Sequence, residues 1–525
     1  MHEPSGAPRS GAAATRDAFW LILTAYLSQL LTLAFALVLR RELGPAGMGY
    51  VAVTQLVATY ASFSSLGALQ AAEREIPIAI ARGNEETARS LELAGVAVGL
   101  AVSVLVCAAL FAIGVGRSAT DPLFGAALIC ASLVMLALQA SGWATVRLRT
   151  RLRFRALGWS TALSAVVASV LAVAGALLNG AMGALVGVVV GAVFQSLLIS
   201  RVAGIGRIAL PPRTTFRHLA SLSPAFFASG AVATLLLSVD QIAVGFTLGT
   251  TSLGLYSAAY LGNSFVLRVP TLVDTVIYPR LQRELGTTSD AGRVFAMASR
   301  ATGALVITMP VLVATFFVAL PALVFLALPE YRDAIGPMRL LLIGVAGLAF
   351  SMPAANYLMT VNRQWSEVAI SGSILVIMAS AYVLAAATGV MSLQVAAGVD
   401  VVGYLGFGIV MQVAAHRAGE QPAGQLLRFI PMLVLPMIEL LVGAGVADAL
   451  VPRTDRTGVL LHAGLQAVFF AVTWSSLAWL HLRAHPEARD DLLMATELVG
   501  RTARRIGTAV LRLDHQDSDD SVLRS

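Results

Sequence analysis

Long apolar segments, separated by short polar connections, repeat along the whole chain. A membrane-crossing helix needs about 20 predominantly apolar residues, and about fourteen segments of this sequence reach that length. None of the connections is long enough to hold a folded soluble domain. The pattern therefore predicts an all-α polytopic membrane protein with about 14 transmembrane helices. The spans are predicted at residues 18–39, 47–69, 91–115, 122–146, 156–178, 181–200, 219–247, 252–277, 301–328, 336–360, 366–388, 392–415, 429–450 and 457–481.

Two short sequences share a pattern of glycines. Residues 43–50 read LGPAGMGY and residues 248–256 read LGTTSLGLY, so each has Leu-Gly, four residues, a further glycine and a tyrosine close behind. Each copy follows one apolar segment and precedes another, and the copies lie about 205 residues apart. A helix pair is therefore repeated in the two halves. Internal symmetry of this kind is typical of transporters whose binding site lies at the repeat interface.

The composition agrees with a protein that is surrounded by lipid. Of the 525 residues 57% are hydrophobic and 12% are charged, which is more apolar surface than a soluble core buries. The net charge of +7 does not form a nucleic-acid-binding face, because the arginines lie between hydrophobic spans. Cys107 and Cys130 both lie within apolar runs, so we predict neither a disulfide nor a metal site.

The distribution of arginines predicts the orientation in the membrane. Cytoplasmic loops of membrane proteins carry an excess of Lys and Arg. With the N-terminus inside, 28 of the 36 basic residues fall in cytoplasmic segments, seven fall in outer segments or at the outer ends of spans, and one, Arg268, lies deep within a span. We therefore expect both termini to be cytoplasmic. The first apolar run, residues 18–39, is too long for the core of a signal peptide, so we expect it to be retained.

Several charged residues lie inside predicted spans, where a charge is costly and is by default a candidate functional residue, and five of them are singled out here. They are Asp240, Arg268, Asp274, Asp400 and Glu439.

Arg268 is the predicted diphosphate-binding residue. It has no carboxylate on its own helix in the i, i+4 register, because Asp274 is six positions away. It therefore either pairs with a distant helix or faces water and an anionic ligand, and a guanidinium binds phosphate oxygens in a bidentate fashion. Asp240 is either an acceptor for nearby hydroxyls and amides or a carboxylate that binds a coupling proton or sodium ion. Asp274 is assigned with it as a coupling-ion or polar cavity residue.

A cluster of alternating arginines precedes the fifth predicted span. One interpretation is that it fixes the topology against the anionic inner leaflet. The other is that it recruits the headgroup of an anionic lipid-linked substrate. The cluster consists of Arg147, Arg149, Arg151, Arg153 and Arg155.

In these features the sequence resembles the bacterial polysaccharide-export flippases, the Wzx-type group of the multidrug/oligosaccharidyl-lipid/polysaccharide exporter superfamily. The resemblance extends over nearly the whole chain. At one position the chain differs, because Gln241 follows Asp240 where relatives commonly have an arginine. The features that carry the resemblance are the motif at residues 43–50, the arginine cluster ending Arg153-Phe154-Arg155, Gly183 and Gly187 at the start of the sixth span, Val239-Asp240 with Gly245 and Leu248-Gly249 in the seventh, and Tyr278-Pro279-Arg280-Leu281 after the eighth.

The resemblance implies two pseudo-symmetric six-helix bundles around a central cavity, followed by two C-terminal helices. The predicted divisions are a cytoplasmic N-terminus (1–17), the first bundle (18–200), a cytoplasmic linker (201–218), the second bundle (219–415), helices 13 and 14 (429–481) and a cytoplasmic tail with a surface helix (482–525).

The implied function is the flipping of an undecaprenyl-diphosphate-linked oligosaccharide across the bacterial inner membrane, by alternating access, for cell-surface polysaccharide synthesis. The alternatives are a lipid-linked peptidoglycan-precursor flippase and a multidrug cation antiporter of the same superfamily. A membrane polymerase or ligase is a further alternative, but the short outer connections and dispersed histidines favour a protein that is not an enzyme. No cofactor is predicted, and a proton or sodium gradient is the candidate energy source. The expected partners are the lipid-linked substrate, membrane lipids and a polysaccharide polymerase complex.

Overall fold

The computed structural model describes residues 11–81, 83–151, 153–204, 212–422, 426, 429–451 and 456–484. These residues form α-helices joined by short turns, and no β-strand occurs among them. The prediction of an all-α polytopic fold is confirmed. The helices are α1 Gly11–Ala61, α2 Ala68–Ala81, α3 Glu85–Arg117, α4 Pro122–Thr150, α5 Phe154–Ala203, α6 Arg213–Leu236, α7 Val239–Ala259, α8 Leu261–Val266, α9 Arg268–Thr288, α10 Ala291–Ala327, α11 Ile335–Thr360, α12 Gln364–Ala387, α13 Leu393–Ala418, α14 Ile430–Leu450 and α15 Arg456–Ala484.

Eleven helical segments of the described chain are long and apolar enough to cross a membrane. Some of them contain more than one predicted span. The 50 residues of α5 would extend about 75 Å as one straight helix, more than twice the hydrocarbon core of a bilayer. The helix is instead broken at Asn179 and Gly180, between the predicted spans 156–178 and 181–200. The total of fourteen spans remains a prediction.

The two copies of the repeated motif have the same backbone conformation. Gly44 breaks α1 with φ 62° and ψ −179°, and Gly249 breaks α7 with φ 84° and ψ 178°. A positive φ with this ψ is open to glycine and strained for other residues. The glycine of each Leu-Gly pair thus allows a sharp break between two helical segments, which explains why it occurs in both copies.

These breaks lie on one side of the molecule. Gly47, just after the break in α1, lies beside Ala181, just after the break in α5. We call this side the kink end. The opposite side, which holds Arg147, Arg149 and Arg151, is called the arginine end.

We call α1–α5 the first half of the molecule and α6–α13 the second half. Close packing around small residues holds each half together. In α5 the segments on either side of the break pack face to face, because Gly183 lies against the carbonyl of Gly175 and Gly187 against that of Leu171. The glycines spaced four residues apart leave this helix face without side chains, and that face serves helix packing. In the second half α11 is the central helix and packs along α13, where Gly347 lies against the carbonyl of Tyr404.

The last two described helices, α14 and α15, pack against each other and against α10. The division into two six-helix bundles and a C-terminal pair stays a prediction. The N-terminal residues 1–10, part of the predicted linker (205–211) and the predicted tail with its surface helix (485–525) lie outside the described residues.

Candidate functional site

At the kink end the two repeated motifs pack directly on each other. The Cα of Gly49 lies against the backbone carbonyl of Thr250, and the Cα of Gly254 lies against the carbonyl of Pro45. The contact is reciprocal, because Gly49 and Gly254 occupy equivalent places in the two motifs, as do Pro45 and Thr250. A Cβ at either glycine would overlap the opposing carbonyl. The halves approach so closely here only because both positions lack a side chain.

Arg40 links the two halves close to this contact. Its Nη2 donates to the carbonyl of Ser257 on α7 at 3.0 Å, and its Nη1 donates to the carbonyl of Ala36 on its own helix at 3.2 Å. The carbonyl of Arg40 accepts a hydrogen bond from the hydroxyl of Tyr331 at 3.3 Å. The guanidinium is buried, and its Nε has no hydrogen-bond partner in the described part of the chain.

At the arginine end the halves meet a second time. Gly67 lies against the carbonyl of Ser223 on α6, where a Cβ would overlap it. Polar contacts join the same elements, with His218 Nε2 3.4 Å from a carboxylate oxygen of Glu75. The hydroxyls of Ser90 and Thr215 lie 2.9 Å apart. Apolar side chains of α2, α3, α4 and α6 form one buried cluster between the halves.

A cavity of about 600 Å³ is lined by α1, α4, α5 and α8. This volume lies within the usual range for ligand sites. Its wall combines apolar side chains with amides, hydroxyls and one guanidinium, that of Arg40. Among the described residues that line the cavity there is no carboxylate. Its polar residues are Gln29, Thr32, Arg40, Gln55, Thr59, Ser169, Gln195 and Ser264.

A separate acidic cluster lies deep in the second half. Asp400 on α13 accepts hydrogen bonds from Tyr256 (3.0 Å) and Tyr382 (2.5 Å). Asp240 on α7 is adjacent to Asp400 and is fully buried. Within the described chain neither carboxylate oxygen of Asp240 has a donor at hydrogen-bond geometry. Tyr260 completes the cluster, with its hydroxyl donating to the carbonyl of Leu237 at 3.2 Å.

Two buried carboxylates side by side, with no arginine paired to either in the described chain, repel each other unless a cation or proton lies between them. Hydroxyls that donate to one of them lower the cost of its charge. The arrangement suits a site that takes up and releases a small cation. It brings the predicted residue Asp240 together with Asp400, which lies 160 positions further along the sequence.

Arg268 and Asp274 occupy other surroundings. Arg268 begins α9, is half-buried, and has an Nε with no hydrogen-bond partner in the described chain. It is not among the residues that line the 600 Å³ cavity. Asp274 accepts a hydrogen bond from Nδ2 of Asn356 on α11 at 2.8 Å. Their predicted roles remain predictions.

Three members of the arginine cluster have carboxylate partners on α2 and α3. Arg149 lies 3.2 Å from a carboxylate oxygen of Glu73, and Arg151 lies 3.3 Å from one of Glu85. Glu92 is shared, at 3.9 Å from Arg147 and 3.5 Å from Arg151.

The remaining two members, Arg153 and Arg155, are exposed, and no ion pair to either occurs among the described residues. The cluster thus divides into three arginines with carboxylate partners and two without an ion pair in the described chain.

The sequence singled out Asp400 as a charge inside a span but gave it no specific role and no partner. Arg40 was not predicted as a site residue, because it follows the last residue of the first predicted span, 18–39, and is one of the seven arginines counted outside. The helix continues past it to Gly44, which brings its side chain back against α7. The signal available in the sequence was its position four residues before the Leu-Gly break.

Comparisons with known proteins agree with this architecture. A family model described as polysaccharide biosynthesis protein matches residues 14–284. No curated protein matches the sequence.

Among solved structures, the lipid II flippase MurJ in an inward closed conformation is similar, with a TM-score of 0.62 and 12% sequence identity over 88% of this chain and 99% of that chain. A multidrug resistance MATE family transporter of the MOP superfamily, in an inward-facing conformation, gives a TM-score of 0.57 and 14% identity over 76% and 98%. A MATE in complex with MaL6 gives a TM-score of 0.55 and 14% sequence identity, over 79% of this chain and 99% of that chain.

The described chain thus shares the fold of these helical membrane transporters. Because the family model covers more than half of the sequence, the chain belongs to the polysaccharide biosynthesis protein family. The resemblance inferred from the sequence motifs is confirmed at this level.

Proposed function

We propose that this protein flips an undecaprenyl-diphosphate-linked oligosaccharide across the bacterial inner membrane by alternating access, for cell-surface polysaccharide synthesis. The observation that carries the proposal is the carboxylate-free cavity, in which Arg40 is the one charged residue among the described lining and amides and hydroxyls supply the other polar groups. Amides and hydroxyls are suitable hydrogen-bond partners for sugar hydroxyls. A guanidinium is a suitable partner for a diphosphate.

The contacts at the two ends support alternating access. The halves touch through the glycine pairs at the kink end and through α2 and α6 at the arginine end. A substrate-sized space with a closure on each side is what such a mechanism requires, since each closure must open in turn. The excess of arginines supports an orientation with the arginine end in the cytoplasm and the kink end outside.

The same cavity argues against a multidrug cation antiporter. A drug cation needs a negative or aromatic surface, whereas the described wall has a positive charge and no carboxylate. The likeness to MurJ keeps a lipid-linked peptidoglycan precursor as the second candidate, because that fold match covers 88% of this chain. Both substrates would present a diphosphate and a sugar to the cavity.

Energy for the cycle would come from a proton or sodium gradient acting at Asp240 and Asp400. The pair lies outside the described wall of the cavity, so a cation there would not compete directly with the substrate. Neutralising the pair would change how α7 and α13 pack, and α7 carries the motif that closes the kink end. Asp274, which accepts a hydrogen bond from Asn356, is a further candidate to bind the coupling ion.

Arg268 is proposed as a second contact for the diphosphate, reached when the halves move, because the residue is half-buried and its Nε has no partner in the described chain. Arg153 and Arg155 are proposed to hold anionic headgroups near the cytoplasmic entrance. A polysaccharide polymerase complex is the proposed recipient of the flipped lipid.

The test is transbilayer movement in proteoliposomes of three substrates, each assayed separately: undecaprenyl-diphosphate oligosaccharide, lipid-linked peptidoglycan precursor and an organic cation. We expect movement of the first and loss of that movement in Arg268→Ala. The matched control is Arg293→Ala, which removes an exposed arginine paired with Asp290. Transport of the precursor alone would favour the second candidate, and transport of the cation alone would reject the flippase.

A further inference from the structure

Arg40 belongs to two parts of the molecule at once. Its side chain lines the 600 Å³ cavity. The same guanidinium crosses from α1 to α7 and donates through Nη2 to the carbonyl of Ser257. It is therefore a residue of the cavity wall and also a bond between the two halves at the kink end.

The charge of this guanidinium is not neutralised by a carboxylate. Its two hydrogen bonds go to backbone carbonyls, of Ser257 and Ala36, and its Nε donor is buried without a partner in the described chain. Arg40 is only 7% exposed, and a buried charge is stable when it is paired and fully hydrogen-bonded. The two carbonyls are neutral acceptors and do not balance the positive charge of the Arg40 guanidinium. An oxyanion would supply both the missing negative charge and an acceptor for Nε.

The other charged and titratable groups nearby do not supply that partner. On the side of Arg40 away from the main cavity, a second space of about 390 Å³ is lined by Arg41, Glu330, Tyr331 and Arg456. Tyr331 donates to the backbone carbonyl of Arg40 and does not bond its guanidinium. No ion pair between Arg40 and Glu330 occurs in the described structure.

We propose that Arg40 is an exchangeable latch whose ligand is a diphosphate group. With the kink end closed, the guanidinium holds the carbonyl of Ser257. When the halves separate, that carbonyl leaves and a diphosphate oxygen in the cavity takes its place, so the anion stabilises the open kink end. The inference rests on the proposed function in one respect, that a diphosphate-bearing lipid enters this cavity.

The exchange has a thermodynamic consequence. A ligand that binds one of two conformations better shifts the population toward it. A diphosphate that needs the nitrogen released from Ser257 binds the open form, so its apparent affinity is reduced by the fraction of molecules that are closed. Any change that opens the kink end without touching Arg40 must therefore strengthen diphosphate binding.

The glycine contact provides that change. A methyl group at Gly254 would overlap the carbonyl of Pro45, so Gly254→Ala wedges the kink end apart and leaves Arg40 intact. Arg40→Gln also removes a bond that closes the kink end, but it removes the guanidinium as well. Gly254→Ala and Arg40→Gln thus both open the kink end. Only Gly254→Ala keeps the guanidinium that would bind the diphosphate.

The experiment uses the full chain in nanodiscs, with Cys107 and Cys130 replaced by alanine. Spin labels at Asn179→Cys and Thr388→Cys report the distance between the halves at the kink end, since both positions are exposed. The probes are farnesyl diphosphate and inorganic diphosphate, with farnesol as the uncharged control. Thermal unfolding of each variant checks that it is folded, and binding is measured for each probe by calorimetry.

In the wild type we expect farnesyl diphosphate to lengthen the label distance and farnesol to leave it unchanged. Arg40→Gln is expected to show the longer distance without ligand and to bind farnesyl diphosphate about tenfold more weakly or worse, as loss of a charge-assisted hydrogen bond predicts. Gly254→Ala is expected to show the longer distance and tighter binding. Both results together support the latch, and a response to farnesyl diphosphate without one to inorganic diphosphate identifies the lipid carrier as the source.

The latch is overturned if folded Arg40→Gln binds farnesyl diphosphate as the wild type does, or if Gly254→Ala opens without tighter binding. An Arg40→Lys variant guards against a folding defect, because it keeps the charge and is expected to retain part of the affinity. Failure of the proposed function is a separate result, since it would appear as absent lipid movement in proteoliposomes while diphosphate binding and the label distances are measured without transport.

Discussion

The hydroxyl of Tyr382 on α12 lies 2.5 Å from Oδ1 of Asp400 on α13, deep inside the second half of the molecule. Tyr256 of α7 donates to the other oxygen of the same carboxylate at 3.0 Å. Three helices thus meet at one buried carboxylate that lies next to Asp240. Neither oxygen of Asp240 has a donor at full hydrogen-bond geometry in the described chain, so we expect a bound cation to stabilise this pair more than any other part of the network.

Removing either carboxylate is expected to abolish ion coupling. In Asp240→Asn and Asp400→Asn, substrate movement in proteoliposomes should no longer respond to an imposed proton or sodium gradient, because one charge of the pair is lost. Tyr382→Phe is the matched control, since it removes one donor and keeps both carboxylates, and a smaller effect is expected. Gradients of the two ions are imposed separately. Full gradient dependence in Asp400→Asn would contradict the assignment.

The sequence singled out both members of this pair but did not predict that they lie together. Asp240 and Asp400 were both recognised because a charge inside an apolar segment is costly, and only Asp240 was assigned a role. Its proximity to Asp400 depends on how α7 and α13 pack, and no local pattern encodes a contact between residues 160 positions apart. The tyrosines gave no signal either, because a tyrosine in an apolar segment has the same appearance whether it packs in the core or donates to a carboxylate.

The repeated motif illustrates what the sequence does encode. Leu-Gly followed by a second glycine five residues later predicted a repeated helix pair, and the structure shows Gly44 and Gly249 with matching backbone angles. That Gly49 and Gly254 pack on each other's motif was not predictable, since it requires the two halves to face one another. The sequence thus predicted the local backbone conformation of each motif. It did not predict that the two motifs contact each other.

A methyl group at Gly49 is expected to destabilise the closed kink end. In Gly49→Ala the new Cβ would overlap the carbonyl of Thr250, and overpacking of this kind costs about 1–3 kcal/mol. The control is Gly406→Ala in α13, where no atom lies within 4 Å of the added Cβ and the gain in helix propensity is at most about 1 kcal/mol. Thermal unfolding should therefore show a lower midpoint for Gly49→Ala alone, and equal midpoints would argue against the tight contact.

The members of the arginine cluster are expected to differ in how strongly they bind anionic lipid. Arg149 and Arg151 are paired with carboxylates, although at this exposure each pair contributes only about 0–1 kcal/mol. Arg153 and Arg155 have no ion pair in the described chain and are exposed. Native mass spectrometry with phosphatidylglycerol should show a larger loss of bound lipid for Arg153→Gln/Arg155→Gln than for Arg149→Gln/Arg151→Gln. The reverse order would indicate that the ion pairs break to bind lipid.

The final prediction concerns the attachment of α14 and α15. Asp448 on α14 lies 3.8 Å from Nη1 of Arg339 on α11, and its other oxygen lies 2.8 Å from Nε2 of His462 on α15. Arg339 is largely buried and also donates to Gln466 at 3.4 Å, so Asp448 supplies the negative charge at a junction of three helices.

Neutralising Asp448 is therefore expected to loosen the C-terminal helices. Asp448→Asn keeps the size of the side chain and should lower the free energy of unfolding by about 1 kcal/mol or more, because it leaves the buried charge of Arg339 less compensated. Arg339→Met combined with Asp448→Leu removes both charges, and it should recover part of that loss, as replacement of an ion pair by apolar groups often does. Denaturant unfolding of the purified proteins measures the free energy of unfolding of both variants. A double variant less stable than Asp448→Asn would show that α14 and α15 are held through the remaining polar contacts of Arg339, to Gln466 in particular.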